Sequence, residues 1–161
     1  CTESRCSGVE AGVQDGRREA LNQPFDYRLF PGAPEGPTEL CQAAEIAVGT
    51  SRVFSFGAGA NSFEMFVMRP PVDAPRGPDA ADGLVAYANV CPHAWAPMDW
   101  TPGEFLDYER RFIHCTTHGA KFRIDDGVCI HGPCLGKPLT PIPIVVEDGT
   151  VRIEPPKDDA G

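Results

Sequence analysis

Two short motifs constrain this chain more than any other feature. The first is Cys91-Pro92-His93, a C-x-H; the second is Cys115-Thr116-Thr117-His118, a C-x-x-H followed by Gly119. Twenty-one residues, 94–114, separate them. A strand-like run precedes each, Leu84–Val90 before the first and Phe112–His114 before the second. Each motif therefore sits in a loop at a strand tip, and two such loops facing one another enclose a metal centre. Pro92 restrains the first loop, and Gly119 lets the backbone turn tightly after the second. A thiolate is a soft, charged ligand and a neutral imidazole a weaker donor, so the set suits iron or zinc. The zinc reading is a structural Cys₂His₂ site. Common zinc modules keep Cys with Cys and His with His, as C-x₂₋₄-C and H-x₃₋₅-H. Here each half mixes the two, which favours an iron–sulfur centre.

The rest of the chain reads as short strands and turns. Residues 1–22 are polar, without periodicity or the apolar stretch of a secretory signal. Pro31-Gly32-Ala33-Pro34-Glu35-Gly36-Pro37 reads as an extended connector, because its prolines forbid a helix. Strands are expected at Arg52–Phe56 and Phe63–Met68; Glu39–Val48 reads as a strand whose alanines also tolerate a helix. Residues 70–83 form a Pro/Asp/Gly-rich connector. Phe122–Ile124 and Val128–Ile130 flank Asp125-Asp126-Gly127, and Ile142–Val146 and Thr150–Ile153 flank Glu147-Asp148-Gly149. Both Asp-Gly steps are hairpin signals. With Gly and Pro at 17 residues each among 161 and no long amphipathic helix, the chain is read as all-β.

Charge and cysteine usage narrow the function classes. The formal net charge is −9, from 23 acidic and 14 basic residues. That excludes a basic nucleic-acid-binding face and favours a basic-surfaced protein partner steered by charge. No run approaches the ~20 apolar residues of a membrane span. Seven cysteines, Cys1, Cys6, Cys41, Cys91, Cys115, Cys129 and Cys134, are an odd number and do not make a complete disulfide framework. With two of them in metal-type motifs, a reducing, cytoplasmic setting is expected. His114 precedes a ligand-type cysteine on a strand and should face away from it. Neither His114 nor His131 is read as a ligand; Cys129 and Cys134 could pair in an oxidising setting, and in a cytoplasmic one are expected as free buried thiols.

Residues 91–134 resemble a Rieske [2Fe–2S] protein. The pattern of C-x-H and a later apolar residue is met by Cys91, His93 and Met98; C-x-x-H-G-x-x-F is met by Cys115, His118, Gly119 and Phe122. Gly132-Pro133 matches the family's cluster-covering proline loop. The resemblance extends more loosely over 38–154 and is closest to ring-hydroxylating dioxygenase ferredoxins and nitrite-reductase-like small subunits. It implies one [2Fe–2S] cluster per chain, with Cys91 and Cys115 on an inner iron and His93 and His118 on an outer one. It further implies an antiparallel β-sandwich with a small cluster-binding subdomain. The expected organisation is a tail and connector at 1–37, a Rieske domain at 38–154 with its cluster-binding part at about 86–134, and a tail at 155–161.

The same resemblance implies single-electron transfer, as a component of an oxidoreductase system and not its catalytic subunit. A flavin reductase and a terminal oxygenase are the partners expected; a subunit of a nitrite-reductase-like complex and a redox-sensing module are the alternatives. An oxygenase subunit would need a second domain with a two-His-one-carboxylate iron site; beyond the four ligands only His114 and His131 remain, and no residues are left to build such a domain. The ligand loops lack the paired cysteines that respiratory Rieske proteins join by a disulfide. Ala120 and Phe122 stand where those proteins carry hydroxyl donors to sulfur. Fewer donors disfavour the more negative reduced state, which implies a potential of roughly −150 mV rather than +300 mV. The unusually long span between the motifs is assigned to Trp100–Arg111, expected as a flap near the cluster, a partner contact or a plain surface loop.

Overall fold

The computed structural model describes residues 26–74, 83–92, 96–99, 101, 103–116 and 119–154. Among the described residues nine strands form three antiparallel sheets of three. The base sheet orders β1 (Thr38–Gln42), β9 (Thr150–Ile153) and β8 (Ile144–Glu147). The middle sheet orders β2 (Thr50–Ala58), β3 (Asn61–Arg69) and β4 (Val85–Ala88). The third orders β5 (Ile113–His114), β6 (Lys121–Phe122) and β7 (Cys129–His131). The fold is the all-β class expected, and among the described residues no helix is long and apolar enough to cross a membrane.

The middle sheet separates two cores, and strand periodicity explains how. Successive side chains of a strand point to opposite faces. From β3, Phe63, Met65 and Val67 enter the base core, while Phe66 and Met68 enter the other. The paired strand follows suit: Val53, opposite Phe66, packs on the second core, whereas Phe54 and Phe56, opposite Met65 and Phe63, pack on the base core. On β4, Ala86 and Ala88 face the base while Val85 and Tyr87 face away from it. A sheet covered on both faces needs a near-continuous apolar run, and Met65–Met68 is that run. Val151, Ile153 and Ile142 close the base core from the other sheet. The second core holds Cys91, Met98, Ile113, Cys115 and Phe122.

Local chemistry sets the turns. Asp148 (φ 50°) and Gly149 (φ 77°) link β8 to β9, and this two-residue turn with two positive φ values matches the strands' twist. The expected Glu39–Val48 strand is split: after Gln42 the chain enters a 3₁₀ turn at Ala43–Glu45. The Glu45 carboxylate accepts from the Gln42 N–H at 2.8 Å, a local bond that competes with strand continuation. The base core also recruits side chains upstream of Thr38. Tyr27 is buried, and Phe30 lies 5.7 Å from the Phe63 ring. These aromatics find an apolar surface that composition alone does not reveal.

Candidate metal centre

β4 ends three residues before Cys91, and β5 ends at the residue before Cys115. Both cysteines are fully buried in the same core cluster. On the second approach Ile113 and Cys115 are buried in that core while His114 between them is half-buried, the alternation expected of a strand. Each cysteine closes its own loop. The Cys91 N–H donates to the Ala96 carbonyl at 2.8 Å, and the Cys115 N–H to the Ala120 carbonyl at 2.8 Å. The Gly119 N–H turns back to the Cys115 carbonyl at 2.8 Å, with Gly119 at φ 72°. The two loops are then tied together: Thr116 gives both its N–H, at 3.1 Å, and its hydroxyl, at 2.9 Å, to the Met98 carbonyl.

His93 and His118, the other two expected ligands, lie outside the described residues, as does Trp95. Among the described residues no group of three or more His, Cys, Asp or Glu side chains is arranged to hold a metal ion. What the described part supplies is a pair of buried thiols, one from each of two cross-linked loops. That donor chemistry fits the inner half of a cluster whose outer half is held by imidazoles.

Several residues that support the loops carry no sequence motif. Asn89 is buried two residues before Cys91. Its side-chain oxygen accepts from the Met98 N–H at 3.0 Å, and its amide donates to Asp99 at 2.7 Å and to Glu64 at 3.3 Å. Asn89 thus holds both ends of the first loop. The Tyr87 hydroxyl donates to the Ile124 carbonyl at 2.8 Å, tying β4 to the third sheet. Burial pushes its phenol far above the ordinary range, with Asp126 and Asp125 adding to the push, so it remains a donor.

The segment after β7 packs against both loops. Gly132 has φ 113°, and a Cβ there would stand 2.8 Å from the Ala120 Cα, so only glycine permits this approach. Cys129 and Cys134 are both buried and free, with their sulfurs 3.3 Å apart. Burial pushes the Cys134 thiol up strongly, and the sulfurs of Cys129 and Cys91 beside it add to that shift. His131 is exposed.

The long connection between the motifs is built into the core, not laid over it. The Phe105 ring stacks on Phe66 at 3.9 Å and is buried. Asp107, also buried, accepts from the Arg111 N–H at 2.9 Å, the Phe112 N–H at 3.2 Å and Lys121 Nζ at 3.3 Å. Burial alone would raise its carboxyl; these three donors together outweigh that and hold it below the usual carboxylate range. The tip stands clear of this packing: Tyr108 is fully exposed and lines a groove together with the Gly49–Ser51 strand entry. The plain surface-loop reading of this stretch is thereby corrected, because its apolar and acidic anchors are inside.

The Rieske [2Fe-2S] domain model matches residues 37–147. Among curated proteins none matches the chain. Among solved structures, the ferredoxin of carbazole 1,9a-dioxygenase from Nocardioides aromaticivorans IC177 is similar, at 21% identity. The match covers 75% of this chain and 99% of that one, with a TM-score of 0.51. A complex of reduced oxygenase and oxidized ferredoxin in carbazole 1,9a-dioxygenase contains a chain 23% identical, covering 70% of this chain and 96% of that one at a TM-score of 0.50. The terminal oxygenase of carbazole 1,9a-dioxygenase from Novosphingobium sp. KA1 is 17% identical, over 89% of this chain but 35% of the oxygenase, with a TM-score of 0.55. At these identities the likeness is one of fold. Since the family model spans more than half of the sequence, the chain belongs to the Rieske [2Fe-2S] domain family, whose defining group is a [2Fe–2S] cluster.

Proposed function

We propose that Cys91, His93, Cys115 and His118 ligate the cluster and that the chain is a ferredoxin-type carrier between a flavin reductase and a terminal oxygenase. The functional unit of this reading is 38–154, with the ligand loops inside 86–134. The observation that carries it is the pinned loop pair: Cys91 and Cys115 are buried in one core, and Thr116 ties one loop to Met98 of the other. When bound, such a cluster accepts and releases one electron at a time.

The chain's own residues do the rest. The buried thiols exclude water from the inner side, while Asn89 and Thr116 hold the loops in register. Ala120 and Phe122 offer no hydroxyl to sulfur, which keeps the potential at the low end of the family's range. The fold shared with a ferredoxin found in complex with its oxygenase supports an oxygenase as the electron acceptor. The free thiols among the described residues fit a reducing, cytoplasmic setting.

The test is spectroscopic. Purified full-length protein should be brown, with the visible absorption and reduced-state paramagnetic signal of a His-ligated [2Fe–2S] cluster. Cys91→Ala should lose both, and the midpoint of the parent protein should lie below about +100 mV. A colourless, zinc-loaded protein would sink the ligand assignment. Reduction by a reductase and NAD(P)H, followed by transfer to an oxygenase, checks the carrier role; fixed-stoichiometry co-purification with one larger enzyme would replace it with the subunit role.

A further inference from the structure

Cys129 and Cys134 lie outside the proposed ligand set, yet the fold spends considerable structure on bringing them together. The segment between them folds back on itself: the Cys129 N–H donates to the Lys137 carbonyl, the Gly136 N–H to the Cys129 carbonyl and the Lys137 N–H to the Cys134 carbonyl, each at 2.9 Å. That fold-back sets the two sulfurs 3.3 Å apart, with the Cys129 thiol also directed at the His131 carbonyl at 3.2 Å. A disulfide has an S–S bond of about 2.05 Å, so roughly 1.3 Å of approach separates the pair from a bond. Ile130 to Pro133, which span the pair, are exposed.

We propose that Cys129 and Cys134 are a dithiol–disulfide couple beneath the Gly132-Pro133 turn. The oxidant is a low-molecular-weight disulfide. One protein thiol, as thiolate, attacks it: a mixed S–S bond forms, the small S–S bond breaks and one small thiolate leaves. The second protein thiolate attacks the protein sulfur of that mixed disulfide; the Cys129–Cys134 bond forms and the second small thiolate leaves. Two electrons pass from the protein sulfurs to the small disulfide, and the two thiol protons end on the two small thiols released.

The test uses the full-length cluster-loaded protein and bis(2-hydroxyethyl) disulfide as the probe. After treatment, free thiols are alkylated under denaturing conditions and the digested protein is mapped without reduction. The peptide bearing both cysteines should escape alkylation at both and weigh less than its reduced form by two hydrogen atoms, reversibly with a dithiol reductant. Alkylation of both cysteines after treatment overturns the couple, and no variant is needed to see it.

Discussion

At the scale of single residues, the polar groups that matter most are the buried ones. Asn89, itself buried, satisfies the Met98 N–H and binds Asp99 and Glu64. Asn89→Ala leaves that N–H without its acceptor, which costs about 1–3 kcal/mol; the urea midpoint should fall, and cluster retention with it. Asp107 adds a pH dependence. Its donors hold the folded carboxyl below the usual range, so the unfolded state binds the proton more readily. The resulting stability is fully present above the unfolded value of about 3.9 and is lost as pH falls through the folded value. Asp107→Asn should flatten the dependence of denaturation midpoint on pH across roughly pH 3–5; an unchanged acid limb would show that the carboxylate is not responsible. Neither Asn89 nor Asp107 stands out in the sequence, because nothing in an isolated Asn or Asp reports burial. The ligand-type cysteines stand out because their spacing to histidine is local.

At the scale of elements, the connection between the motifs changes most between sequence and structure. Its length and mixed charge read as loop, and its tip is one, but Phe105 makes it part of the core by stacking on Phe66. Removing a buried aromatic ring costs about 3–5 kcal/mol. Phe105→Ala should therefore take away a large share of a stability of about 5–15 kcal/mol, read as a shifted thermal unfolding midpoint; Tyr108→Ala at the exposed tip should leave that midpoint nearly unchanged. Other elements were legible. The Asp148-Gly149 hairpin follows from two residues that accept positive φ between two β-branched runs. Asp125-Asp126-Gly127 also turns the chain, but more widely than the residues indicate: β6 stops at Phe122 and β7 starts at Cys129. There Gly127 packs against Tyr87, a contact with a distant strand.

At the scale of the whole molecule, the middle sheet joins a structural half to a redox half. Its base face packs on the sheet of β1, β9 and β8, and its other face supports the loops that carry Cys91 and Cys115. The net charge of −9 acts at this scale too. If the partner is basic, its approach is steered over distances that salt shortens from about 30 Å at 0.01 M to about 8 Å at 0.15 M. The rate of electron transfer with the reductase should fall steeply over that range; a rate indifferent to salt would remove the basic partner from the reading.

By itself the sequence determined the all-β class, most strand positions, the Asp-Gly turns and the two Cys/His loops. Each of these is written within a few neighbouring residues, as a period of two, a tolerance for positive φ or a ligand spacing. Only the tertiary structure decided which apolar residues of β3 serve which core, that Thr116 meets Met98 and that Phe105 folds inward. Such contacts join residues far apart in the chain. They are set by how three sheets stack to bury the most apolar surface at once, which no local pattern encodes.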